Sequence, residues 1–173
     1  MKFKKLLFLA LLLQSFSVHA HECKACDLSH RWWVNLGMGV GTAFNSGDNT
    51  AGGSAAQLSF NGMITNNLFI TLESTGMGRD YSREAHDVGL LLGYKSRRPN
   101  WYWSIGAGIA HYEYETMHSW WNSRNYRYSS GAAMPVQGQL FWTPVKHLGI
   151  GLIGHAVVSK DSYGVALLGL QIS

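Results

Sequence analysis

Three ionisable side chains, Glu73, Asp87 and His155, stand in stretches where every second residue is bulky and apolar and the residues between are small or polar. Two carboxylates and an imidazole held out of water could relay a proton or act as an acid/base pair. They could equally close a hydrogen-bonded plug, because buried polar groups must find partners. The plug is the expectation, since Asn35, Gln57, Ser59, Asn61, Thr71, Thr75, Ser104, Gln137, Gln139 and Gln171 fall on the same side of their segments. A second group, His86, His111, Glu113, Glu115, His118 and Ser119, holds the residue types of nucleophilic hydrolysis. It shows no distinctive nucleophile motif, His118 and Ser119 being merely adjacent, and no catalytic residue is assigned from it. A third group is His21-Glu22-Cys23-Lys24-Ala25-Cys26. Its two cysteines most simply close a local disulfide in an oxidising compartment. Metal binding by Cys23, Cys26 and His21, with His30 as a fourth ligand, is the alternative. No metal or other cofactor is otherwise expected.

The elements that must position these groups are strands. From Trp32 to Phe44 the even positions read Trp, Val, Leu, Met, Val, Thr, Phe and the odd ones Trp, Asn, Gly, Gly, Gly, Ala, a period of two. The split recurs over roughly 32–44, 54–64, 68–77, 85–95, 101–114, 132–142, 147–158 and 162–172, with turn residues between. Each segment is near the ~9–11 residues with which a tilted strand crosses a bilayer. The connections 65–67, 96–100 and 143–146 are short, those at 45–53, 78–84 and 115–131 longer, and 159–161 is the exception. Short turns at one end and longer loops at the other are the plan of outer-membrane barrels.

Before the strands, Lys2, Lys4 and Lys5 precede an apolar run from Leu6 to Leu13 and the ending Val18-His19-Ala20. That pattern predicts a cleaved secretory signal over 1–20, followed by an N-terminal segment 21–31 with the CxxC pair and a barrel over 32–173. Those three lysines belong to the 14 Lys and Arg that face 10 Asp and Glu, so beyond residue 20 the formal charge falls from +4 to near +1. Nucleic-acid binding then has no electrostatic footing. The one basic cluster, Lys95, Arg97 and Arg98, reads as a solvated turn.

Two features separate a membrane barrel from a soluble one. Nearly all charges lie in the connections, and Trp32, Tyr94, Trp101, Trp103 and Trp142 all fall at the same end of their bulky faces, as an interfacial aromatic girdle does. Tyr112, Tyr114 and Phe44 are expected near the opposite rim. Gly37, Gly39, Gly41, Gly89, Gly93, Gly106, Gly108, Gly149 and Gly151 are expected inside, where eight strands leave little room and no solute pore. In its architecture the chain resembles the small eight-stranded outer-membrane proteins of the OmpA-transmembrane-domain and OmpX type.

The resemblance implies an eight-stranded antiparallel transmembrane up-and-down β-barrel embedded in outer-membrane lipid and lipopolysaccharide. It also implies insertion by the barrel-assembly machinery, whose substrates end in alternating apolar residues. Here Leu168, Leu170 and Ile172 alternate and Ser173 follows in place of an aromatic. The expected function is a non-enzymatic envelope-structural or surface-interaction role. The loop 115–131, with Trp120, Trp121, Arg124, Tyr126, Arg127 and Tyr128, is expected to continue as a β-ribbon with lipid contacts. Because some barrels of this size modify lipid A by acyl transfer or deacylation, the group around His86, His111 and His118 keeps that alternative open. A soluble periplasmic lipocalin-like binding barrel is the other, and it requires the bulky faces to point inward.

Overall fold

The computed structural model describes residues 32–44, 52–79, 83–98, 100–118, 125–145 and 147–173. Its elements are all strands: β1 (Trp32–Ala43), β2 (Gly52–Met63), β3 (Leu68–Arg79), β4 (Arg83–Arg98), β5 (Trp101–His118), β6 (Asn125–Val145), β7 (Leu148–Val158) and β8 (Tyr163–Ile172). Each strand pairs antiparallel with its neighbours in the chain, and β8 pairs with β1 from Val34↔Ile172 to Ala43↔Tyr163, so the sheet closes on itself. Closure leaves no edge strand, and backbone groups find their partners in the wall.

The alternation predicted from the sequence is the alternation of the wall. Leu36, Met38, Leu58, Phe60, Leu72, Leu90, Leu92, Ile105, Ile109, Leu140, Ile150, Leu152, Leu168 and Leu170 point outward and are exposed. Asn35, Gln57, Glu73, Asp87, Gln139, His155 and Gln171 point inward and are buried. The bulky faces therefore lie outside, which removes the lipocalin-like arrangement. At the end that carries both ends of the strand series and the connections 64–67, 99–100 and 146–147, the outer wall bears Trp32, Tyr94, Trp101, Trp103 and Trp142. Trp101 and Trp142 meet across β5 and β6 with ring centroids 6.2 Å apart, and Tyr94 and Trp103 across β4 and β5 at 5.8 Å. We call this the lower end.

The ribbon expected in the segment 115–131 is present, since β5 and β6 stay paired up to His118↔Asn125. The structure departs from the sequence reading in two places. Tyr112 and Tyr114 do not ring the upper rim. They occupy even positions of β5, the lumenal side of that strand, and are 4% and 2% exposed. Lys95 is not in a solvated turn: β4 continues to Arg98, position 95 shares its side with Asp87 and Leu91, and the side chain is 2% exposed. Phe44, by contrast, is exposed at the upper end as expected.

Lumenal space is scarce enough to dictate glycine at particular points. A Cβ on Gly151 would sit on the carbonyl oxygen of Leu140 and 2.7 Å from Phe141 Cγ. One on Gly93 would enter the ring of Phe69. Pro135, inside β6, has no N–H to donate, and the β5–β6 ladder is interrupted beside it, between Ala107↔Val136 and Ala110↔Ala133.

Candidate functional site

Side chains fill the lumen in layers. The lower one is aromatic: Trp33 packs on Phe69 with centroids 5.6 Å apart and on Tyr102 at 6.4 Å, and Tyr102 stacks on Phe141 at 5.5 Å with the rings 12° from parallel. The Lys95 ammonium sits 3.7 Å from the centroids of both Trp33 and Tyr102. A cation between two ring faces exchanges part of its hydration for the ring quadrupoles. The Tyr102 hydroxyl donates to Gln171 Oε1.

Above it runs a chain of amides. Asn35 Nδ2 donates to Gln139 Oε1 at 3.1 Å, the Gln139 amide to Gln137 Oε1 at 2.5 Å, and Gln137 Nε2 to Glu73 Oε2 at 2.7 Å. Gln57 Nε2 donates to the same Glu73 oxygen at 3.1 Å and to Thr75 Oγ1 at 3.0 Å. On a branch, the Thr71 hydroxyl donates to Asn61 Oδ1 at 2.7 Å, and Asn61 Nδ2 reaches Ser59 Oγ at 3.2 Å and the Trp33 carbonyl at 3.3 Å. The next layer is ionisable, with buried Ala85 and Tyr114 above it. Asp87 Oδ1 receives His155 Nε2 at 3.2 Å and the hydroxyl of Tyr163, while His155 Nδ1 stands 3.3 Å from Glu73 Oε1. All eight lumenal residues singled out from the sequence, Asn35, Gln57, Asn61, Glu73, Asp87, Gln137, Gln139 and His155, are buried here. Glu73, Asp87 and His155 come from β3, β4 and β7, and the structure brings them together. Sequence reasoning did not place Lys95 or Tyr163 in this interior, although the parity of β4 and β8 carried the signal for both.

The outer wall changes character above the apolar band. Outward positions rise through Leu72, Val88 and Ile109 to Ser74, His86, His111, Glu113, Glu84 and Glu115 on β3, β4 and β5. Ser74 Oγ and His86 Nε2 are 3.0 Å apart. The register explains the reach: His86 lies opposite Gly76, whose missing side chain lets the ring lean over β3. Glu113 is the cross-strand partner of His86 on β5, yet its carboxylate is 3.7 Å from His111 Nε2, and among the described residues no hydrogen bond joins His86 to a carboxylate. Thus a Ser-His dyad forms on the wall, and His111 faces an acid without a serine.

Cys23, Cys26, His21, His30, Ser119, Trp120, Trp121 and Arg124 lie outside the described residues, as do the side chains of His118, Tyr126 and Arg127.

No protein-family model matches the chain, and no curated protein matches it. Solved structures share its fold. Neisserial surface protein A (NspA) superposes with a TM-score of 0.65 at 13% identity, covering 82% of this chain and 96% of that one. Ail, the attachment invasion locus protein of Yersinia pestis, gives 0.62 at 13% identity with coverage of 82% and 96%. The N-terminal β-barrel domain of Pseudomonas aeruginosa OprF gives 0.61 at 13% identity with the same two shares, 82% and 96%. At such identities the likeness is one of architecture: this chain has the fold of the eight-stranded outer-membrane barrels.

Proposed function

We propose that the chain resides in a bacterial outer membrane, exported with a signal over 1–20, and serves there in a non-enzymatic envelope-structural or surface-interaction role. The observation that carries this reading is the inversion of the wall. A water-soluble barrel hides its apolar faces, whereas this one turns Leu, Ile, Val and Met outward around the circumference and collects its polar residues inside. Exposed apolar surface on that scale needs lipid or protein to cover it, and the girdle of Trp32, Tyr94, Trp101, Trp103 and Trp142 fits a headgroup boundary. The shared fold with outer-membrane barrels supports the same reading. In this setting the wall meets lipid throughout, the Ser74 to Glu115 band meets lipopolysaccharide, and the β5–β6 ribbon projects beyond the membrane as the surface most available to a partner. With its lumen filled by side chains, the barrel offers adhesion or scaffolding in place of solute passage.

The test is fractionation of cells producing the full chain, followed by electrophoresis of the outer-membrane extract in SDS, boiled and unboiled. A band that shifts with heating and is confined to the outer membrane is expected. Recovery in the soluble periplasm without detergent would overturn the reading.

The contact between Ser74 and His86 favours a second reading, ester hydrolysis on acylated lipid at the headgroup level. The dyad supplies a nucleophile and a base. Mass spectra of lipid A from cells with the native chain, Ser74→Ala or no chain distinguish the two. A loss of acyl chains that depends on Ser74 supports hydrolysis, and three identical spectra remove it.

A further inference from the structure

In the upper lumen the hydrogen-bond donors are distributed unevenly. Both amide donors at Glu73, from Gln57 and Gln137, go to Oε2. Both donors at Asp87, from His155 and Tyr163, go to Oδ1. Left over are Glu73 Oε1, Asp87 Oδ2, His155 Nδ1 and Gln57 Oε1, four buried atoms with no hydrogen-bond partner. An ionised carboxylate only accepts, so His155 must spend its Nε2 hydrogen on Asp87. In the neutral ring Nδ1 is then a bare lone pair, and it stands 3.3 Å from the bare Oε1 of Glu73. Two acceptors facing each other out of water repel unless something positive lies between them. A second proton on the ring is poorly served, because the Nδ1 to Oε1 approach lacks hydrogen-bond alignment, leaving both atoms unpartnered.

We infer that this cluster is a divalent metal site, with Glu73, Asp87 and His155 as protein ligands and zinc or a neighbouring first-row ion as the cation. One ligand atom from each of the three residues falls within 4.8 Å of the others. Ligands at zinc bond lengths in a tetrahedral set stand about 3.4 Å apart, so the three atoms must close by at most about 1.4 Å, through carboxylate rotation, to complete the set. Mixed imidazole and carboxylate donors suit zinc, manganese or iron better than magnesium or calcium, which take oxygen alone. The surroundings match a metal's outer shell. Each ligating carboxylate is held by donors on its other oxygen, Glu73 by Gln57 and Gln137 and Asp87 by Tyr163 and His155 Nε2. A dication would also balance the two carboxylates, towards which His155 is the only basic group that points among the described side chains. The inference concerns the lumen alone and does not depend on where the barrel resides.

The experiment uses the full mature chain with Cys23→Ser and Cys26→Ser, so that the N-terminal thiols cannot hold the metal. The refolded barrel is stripped with EDTA, exposed to zinc alone, freed of excess and assayed for metal by mass spectrometry. About one zinc per heat-shifting barrel is expected. Glu73→Gln and His155→Gln should weaken retention against a chromophoric chelator at least tenfold, whereas His111→Gln and His147→Gln should leave it unchanged. Cobalt in the unmutated lumen should give ligand-field absorption without a thiolate charge-transfer band, a readout independent of whether the variants fold. Less than a tenth of an equivalent of zinc together with no cobalt band would overturn the proposal and leave a doubly protonated ring in its place. Retention unaffected by Glu73→Gln and His155→Gln in folded barrels would overturn it equally.

Discussion

Replacing Leu90 by arginine tests most sharply whether the wall faces lipid. Leu90 is an outward residue of β4, 46% exposed, midway between Tyr94 in the girdle and His86 in the upper polar band. From Tyr94 to His86 the strand rises about 26 Å, at ~3.3 Å per residue, and a tilt of about 40° converts this to roughly 20 Å of depth. Leu90 therefore sits close to mid-depth, and each outward position away from it approaches an interface by about 5 Å. Arginine at the middle of a bilayer costs about 2–4 kcal/mol on a barrel wall and roughly 0–1 kcal/mol near the interfaces. The folding equilibrium of Leu90→Arg should thus fall by roughly 30- to 700-fold. Leu92→Arg and Val88→Arg should lose less, and Tyr94→Arg and His86→Arg least. The measurement is refolding into phospholipid vesicles across a urea series, with the folded fraction read from unboiled gels. On a water-facing wall the same substitutions would each change stability by less than about 0.5 kcal/mol, with no dependence on depth. A flat profile, or a Leu90→Arg barrel as stable as the parent, would refute the assignment of the outer face.

Gly151→Ala should destabilise the barrel by about 1–3 kcal/mol, because its Cβ meets the Leu140 carbonyl and the Phe141 ring. Gly138→Ala on the outer face, where a Cβ meets nothing within 4 Å, should be neutral or slightly stabilising in the same urea series. Thr71→Val removes the hydroxyl that donates to buried Asn61 Oδ1 and should cost about 1–3 kcal/mol, with Thr71→Ser restoring most of it. Equal stabilities of the valine and serine variants would show that this bond contributes nothing.

The alternation of residue types was enough to place eight strands, their outward faces and most of the lumen, because a wall with an apolar outer face and a narrow polar interior imposes opposite demands on successive residues. The reading weakened where those demands relax. Above the apolar band of β6, Tyr128 and Ser130 are exposed and Ser129 between them is half-buried, so this run shows no apolar period and was legible only as a ribbon within the loop 115–131. Lys95 was misplaced for another reason: proximity to Arg97 and Arg98 outweighed its parity, and its ring partners Trp33 and Tyr102 lie on other strands. Tyr112 and Tyr114 were assigned by residue type to a rim when their position in β5 pointed inward. The dyad of Ser74 and His86 depends on the β3–β4 register and on Gly76, and the convergence of Glu73, Asp87 and His155 depends on closure. Neither is a property of any one strand.

Closure also bears on the order of assembly. Seven of the eight ladders join strands adjacent in the chain, but the last joins β1 to β8, from opposite ends of the barrel sequence. Hairpins can zip locally, whereas that seam waits for the final strand. The lumenal polar chain waits with it, since Asn35 on β1 reaches Gln139 on β6, and Tyr163 on β8 reaches Asp87 on β4. Until the seam shuts, these groups stay open to water and give no selective advantage to a correct arrangement. When it shuts they lose solvent together, and only the native register offers all of them partners. The interior network is then a checkpoint on the last step of folding. A seam closed with β8 one residue out of register would turn Tyr163 and Gln171 outward and bring Leu168 and Leu170 inside, so misclosure is penalised at the moment it occurs.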